Sequence, residues 1–172
     1  MLPVIYAACK ESWNGMLIDW ERAGPERRFE VRVPNVSQAG TFYRDVFGAK
    51  ETFRQEAQNG KVFRLGLAIG GIGFAISSED DIEQERPLLS SIAEELGFTF
   101  VAVILRVEDP DRIARAAQDA GSAINRVREP DPITVVTDPF GGYWALIKRE
   151  LAPHVGREAP SLNEVPRKTA NG

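Results

Sequence analysis

Phe29-Glu-Val-Arg-Val-Pro-Asn-Val-Ser37 and Val103-Ile-Leu-Arg-Val-Glu-Asp-Pro-Asp111 are two versions of one phrase. Each is an alternating apolar strand that ends in Arg-Val, followed by a short polar cap, a helix-period stretch and a glycine stop. Arg32-Val33 matches Arg106-Val107 at an offset of 74, and Gly48 matches Gly121 at an offset of 73. Internal repetition decides architecture before any single element does. A repeat of this length, present twice, describes two similar modules sharing a domain, with room for a ligand between them.

In the first module, Phe29, Val31 and Val33 alternate with Arg28, Glu30 and Arg32, the pattern of a half-buried strand. A helix follows, capped by Asn35 or Ser37. Phe42, Tyr43, Val46 and Phe47 supply its apolar side and Gly48 ends it. Residues 50–57 read as a second strand, and Asn59-Gly60 is a hairpin signal. A third strand, 62–69, sets Phe63, Leu65, Leu67 and Ile69 against Arg64, Gly66 and Ala68. Gly70-Gly71 then turns the chain into a fourth strand, 72–77.

The second module repeats this order. Its first strand is 99–107, and its helix is capped by Asp109 with Pro110 at the first helical position. Ile113, Ala116, Ala117 and Ala120 form the helix's buried stripe. Strands near 123–129 and 132–137 lead to the turn Asp138-Pro-Phe-Gly-Gly142 and a last strand, 143–148. The expected fold is α+β: paired βαβββ modules forming a curved mixed sheet with a concave pocket and helices on the outer face. The division along the chain is an N-terminal extension (1–26), module one (27–78), a linker with a short helix from Leu88 to Leu96 (79–98), module two (99–150) and a polar tail (151–172). The extension, with Trp13, Met16, Leu17, Ile18 and Trp20, reads equally as a short amphipathic helix, an extra strand or an unordered leader.

Composition narrows the function classes. The 172 residues are 43% hydrophobic and 27% charged, ordinary for a globular domain. A net charge of −4 gives no basic footprint for nucleic acid. No apolar run reaches the roughly 20 residues of a membrane span, and the first residues lack the basic region of a signal peptide. Cys9 is the single cysteine, which rules out an internal disulfide and fits a reducing cytoplasm. Ser90 and Ser91 have no histidine to activate them, because the single histidine, His154, sits in the tail. Glu79-Asp80-Asp81 reads as a solvated linker.

Three stretches carry a resemblance. They are Arg32-Val-Pro-Asn-Val-Ser-Gln-Ala-Gly-Thr-Phe-Tyr-Arg-Asp-Val-Phe-Gly-Ala49, Gly71-Ile-Gly-Phe-Ala-Ile-Ser77 and Asp138-Pro-Phe-Gly-Gly-Tyr-Trp-Ala-Leu-Ile147. Together they make residues 27–150 resemble the vicinal oxygen chelate superfamily, which includes glyoxalase I, bleomycin-resistance proteins and extradiol dioxygenases. The resemblance implies a divalent metal held by His, Gln or Glu at four strand positions, acting as a Lewis acid. Carried across one by one, those positions are Arg28, Ala75, Ala102 and Ala145. Alanine has no donor atom and arginine is a permanent cation, so no metal and no cofactor is expected. The resemblance also implies a homodimer.

The residues on the face away from the helices are then the candidate ligand-binding set: Arg28, Glu30, Arg32, Arg64, Arg106 and Tyr143, beside Ala75, Ala102, Ile104 and Ala145. Arginine forks suit a carboxylate or another anion. The alternative is a sheet face whose charges pair with each other, Glu30 bridging two arginines. Two functions follow from these readings. One is a bleomycin-resistance-like protein that binds a small, anionic molecule in the inter-module pocket without metal chemistry. The other is a lyase, isomerase or dioxygenase with shifted ligands or a metal-free site, Glu30 serving as base beside Arg32 or Arg106.

Overall fold

A computed structural model of the chain describes residues 4–10, 13–20, 29–80, 94, 97, 100–127 and 132–149. Ten strands and two helices occur among them. Strands β1 (Val4–Lys10) and β2 (Trp13–Asp19) come first. Module one contributes β3 (Phe29–Val33), α1 (Val36–Phe47), β4 (Lys50–Glu56), β5 (Val62–Ile69) and β6 (Ile72–Ser78). Module two contributes β7 (Phe100–Val107), α2 (Pro110–Asp119), β8 (Ala123–Val127), β9 (Ile133–Thr137) and β10 (Tyr143–Lys148).

The βαβββ repeat is real, and the two modules build equivalent mixed sheets. One sheet has the order β3-β6-β5-β4 and the other β1-β2-β7-β10-β9-β8. In each, the module's first strand pairs parallel with its last, β3 with β6 and β7 with β10. The remaining strands of each module pair antiparallel. The hydrogen-bonded ladder does not run from one module into the other. The outer edge of β7 is taken by β2, which lies parallel to it with Leu17 opposite Ala102. This settles the extension: its apolar run is a β-hairpin added to the second sheet, with β1 antiparallel to β2.

Both helices start and stop for local reasons. Asn35 Oδ1 accepts the Gln38 amide at 3.0 Å, and Gly48 closes α1 in the left-handed conformation at φ 68°. Asp109 Oδ1 accepts the Arg112 amide at 2.9 Å, and Pro110 opens α2. The buried stripe of α2 is Ile113, Ala114 and Ala117, whereas Ala120 is exposed. One shared core lies on the helix side of both sheets. Phe29, Tyr43, Phe74 and Trp144 meet there, with Phe74 and Trp144 rings 5.3 Å apart and Tyr43 and Trp144 rings 5.6 Å apart. Aromatic edges and faces at these separations add to what area burial supplies.

The β4–β5 ladder departs from simple alternation at two points, between Glu51 and Phe53 and between Gln55 and Glu56. Gln55 pairs with Arg64 and Glu56 with Val62, so Phe63 is an inserted bulge residue. Val62 takes the core position and Phe63 is left half-buried, outside the core that holds Leu65, Leu67 and Ile69. The linker helix expected from Leu88 to Leu96, apart from the helical residue Glu94, and the polar tail from residue 151 lie outside the described residues. No helix among the described residues is long and apolar enough to cross a membrane.

Candidate functional site

The sheet faces turned away from the helices carry the expected site residues, and the two modules treat those faces differently. In the second sheet the face is hydrocarbon. Leu17, Ala102, Ile104, Ile133, Val135, Ala145 and Ile147 form a separate buried cluster, with Phe100, Val127 and Tyr143 packed against it. Ala102 and Ala145 are each 0% exposed. Tyr143 sits opposite Ala102 in the ladder and stacks on Phe100 at 4.5 Å and 22°.

In the first sheet the same face is polar. Register places Glu30 opposite Ala75, and Arg32 and Arg64 on either side of Ser77. Glu30 therefore reaches diagonally across β6, over the small Ala75, to Arg64. The Glu30 Oε1 to Arg64 Nε distance is 3.3 Å, with both side chains 6% exposed. The Nε hydrogen is not aimed at that oxygen, so this is an ion contact and not an aligned hydrogen bond. Removing water from both charges strengthens their attraction and makes either one expensive alone.

Arg106 has a partner that alternation in the repeat does not reveal. Its two terminal nitrogens grip both oxygens of Asp19, Nη1 to Oδ1 at 3.0 Å. Asp19 is fully buried and Arg106 largely so. The bidentate fork is the strongest form of this pair. It also ties the N-terminal hairpin to module two. The one signal for Asp19 in the sequence is its place at the end of an apolar run, Met16-Leu-Ile-Asp19.

Of the six expected ligand-binding residues, Arg28 lies outside the described residues. Glu30, Arg64 and Arg106 are held in ion pairs. Arg32 is half-buried on β3, at the repeat position equivalent to Arg106. Tyr143 is half-buried beside the apolar cluster.

The metal positions implied by the fold can be tested on the residues present. Ala102 and Ala145 are enclosed by aliphatic side chains. Ala75 lies fully buried in the ladder between Glu30 and Gly66. None of these three supplies a donor atom, so the residues do not fit a bound divalent metal, which needs at least three protein ligands in a catalytic site. The described residues contain no cluster of three or more His, Cys, Asp or Glu side chains able to hold a metal ion.

A second polar centre joins the modules through the core. Asp138, 4% exposed, accepts four hydrogen bonds. The Tyr43 hydroxyl at 2.6 Å and Trp144 Nε1 at 2.9 Å donate to Oδ2. The amides of Phe140 at 2.9 Å and Gly142 at 2.8 Å donate to Oδ1. A Cβ at Gly142 would overlap this carboxylate, so the closing turn needs glycine there for space. Burial first, and the negative charge of Asp138 second, push the Tyr43 phenol well above its ordinary pKa. The arrangement is fully satisfied, and its work is to fix the closing turn against α1.

Between the modules, on the side of the helix ends, lies an open cleft of about 440 Å³. Module one supplies Phe47, Ile69 and Ile72, together with the Gly70-Gly71 turn. Module two supplies Leu105 to Asp109, the first turn of α2 and Arg149. Its volume falls within the usual range for small-molecule sites.

A family model described as the Glyoxalase/Bleomycin resistance protein/Dioxygenase superfamily matches residues 27–146, well over half of the chain. No curated protein sequence matches it. Among solved structures, a gene product from Arabidopsis thaliana is 26% identical with a TM-score of 0.52, over 71% of this chain and 95% of that one. TioX from Micromonospora sp. ML1 is 22% identical with a TM-score of 0.55, over 73% of this chain and 99% of that one. Both are similar in fold.

Proposed function

The chain belongs to the glyoxalase/bleomycin resistance protein/dioxygenase superfamily, and from that premise we propose that it binds a small, anionic molecule between its modules without metal chemistry. The observation that carries this reading is the occupancy of three expected ligand positions by the buried alanines Ala75, Ala102 and Ala145. Hydrocarbon at those positions supports binding and shape recognition over Lewis-acid catalysis. Arg32 and Tyr143, the two expected site residues that remain half-buried and outside the ion pairs, are the side chains proposed to meet a ligand on the sheet face.

The reading includes a homodimer, as in the family at large, and residence in the cytoplasm. A catalytic role for Glu30 as base is disfavoured, because the residue is 5% exposed and its carboxylate already contacts Arg64. The test is elemental analysis of protein purified from medium supplemented with zinc, manganese, nickel and iron. Metal well below one equivalent per chain is expected. Tight stoichiometric metal that is lost on Glu30→Ala would overturn the reading.

A further inference from the structure

The inter-module cleft combines an apolar floor with a charged rim. Ile72, Leu105 and Ile113 line it, each 6% exposed or less. Their hydrocarbon comes from both modules, so the cleft exists only because the modules are packed together. Arg112 and Arg149 are exposed on its rim. Backbone contacts hold both in place. The Arg149 amide donates to the Val107 carbonyl at 2.9 Å, and the Arg112 amide is bound by the cap of α2.

Other charges border the same cleft. Arg106 is engaged by Asp19. The Asp109 carboxylate is occupied by the Arg112 amide. Glu108 is exposed and also borders the cleft. With Arg106 neutralised by Asp19, the guanidiniums of Arg112 and Arg149 face the carboxylates of Glu108 and Asp109, the latter keeping its charge while it accepts the Arg112 amide. The two exposed guanidiniums can take one negative group, and the two carboxylates disfavour a polyanion.

We propose that this cleft binds an amphiphilic anion: a carboxylate or phosphate monoester on Arg112 and Arg149, with its hydrocarbon or ring body on Ile72, Leu105 and Ile113. The proposal rests on the metal-free binding reading and adds to it a second place of binding, apart from the sheet face that carries Arg32 and Tyr143. It differs from a site on the sheet faces, where Glu30 and Arg64 are already paired. Guanidinium groups bind planar oxyanions with charge-assisted hydrogen bonds, and the apolar floor contributes in proportion to the area it covers.

Three eight-carbon probes separate the terms: octanoate, octyl phosphate and neutral octanol, each titrated calorimetrically into the full chain. Saturable one-to-one binding of an anionic probe is expected, at least about tenfold tighter than octanol. Octanoate against octyl phosphate then tells a carboxylate site from a phosphate site. The double variant Arg112→Gln/Arg149→Gln, whose side chains are exposed and whose melting temperature should not move, is expected to weaken the anion by about tenfold and leave octanol unchanged. Ile72→Glu serves as the second variant and should abolish binding of every probe. Equal binding of octanol and the anions, no effect of the double variant, or no saturable binding at all would overturn the proposal. None of those outcomes touches the metal measurement, so the two readings fail separately.

Discussion

The Tyr43 hydroxyl donates to Asp138 Oδ2 at 2.6 Å, across 95 residues of chain and from one module to the other. The same oxygen receives Trp144 Nε1, while Oδ1 holds the two turn amides. Asp138→Asn keeps the shape and removes one acceptor oxygen. Turned one way its NH₂ faces the two turn amides; turned the other it faces Trp144 Nε1 and forces the Tyr43 hydroxyl to rotate and accept. Leaving buried donors without acceptors costs about 1–3 kcal/mol each, so a loss of about 3 kcal/mol is expected in urea unfolding. A loss below about 0.5 kcal/mol, the level of an ordinary surface substitution, would show that the carboxylate is not what fixes the turn.

The phenol also sets an alkaline limit. Its folded pKa is raised, so the native state holds this proton more tightly than the unfolded chain does. That share of stability is whole below about pH 10, the unfolded phenol's value, and is lost as pH rises from there through the higher folded value. Tyr43→Phe lacks the titrating group. The stability gap between wild type and Tyr43→Phe should therefore be level from about pH 7 to 9 and narrow above about pH 10. Unfolding curves across that range measure it, and a gap that stays level to the highest pH would contradict the coupling.

Glu30 and Arg64 should behave as a unit. Glu30→Leu alone takes the facing carboxylate away from a buried guanidinium and is expected to cost about 3–5 kcal/mol. Glu30→Leu/Arg64→Met replaces both with hydrocarbon and should recover most of that loss. A double-mutant cycle in urea gives the coupling directly. Strictly additive losses would mean that the 3.3 Å contact contributes nothing specific.

Asp19→Asn tests the hairpin's anchor. It removes the charge that Arg106 grips with both terminal nitrogens. The expected result is local loosening, with faster amide exchange in Trp13–Asp19 and in the β7 amides that face it. Unfolding of the two modules should shift far less, because their shared core lies on the other side of the sheet. Unchanged exchange in β2 would remove Asp19 from this role.

How much of this was legible in the sequence depends on the range of the interactions involved. The caps at Asn35 and Asp109 and the glycine after α1 are local, and the residues announce them. The repeat made the equivalence of β3 and β7 visible before any coordinates. Phe63 misled, because a bulge is decided by the register between two strands and alternation within one strand does not reveal it. The run around Leu17 was ambiguous because its partner, β7, lies more than eighty residues away. Alternation put Glu30 and Arg64 on one face correctly. Whether they touch depended on Ala75 being small and lying between them. The cleft rim was missed altogether: Arg112 and Arg149 belong to no motif, and the cleft they border forms only where module two meets Phe47, Ile69 and Ile72 of module one.

The hairpin laid along β7 makes the two halves of a duplicated chain unequal. β7 has neighbours on both sides, whereas β3 has β6 on one side and no described strand on the other. Ancestral symmetry would let either half tolerate the same changes. Here the second half is built around an interior strand and the first ends in a margin. A polypeptide starting after residue 24 would bare a row of backbone donors and acceptors along Phe100 to Val103, a template on which other chains can assemble. Strands β1 and β2 thus carry the open margin of the second sheet away from β7 and out to β1.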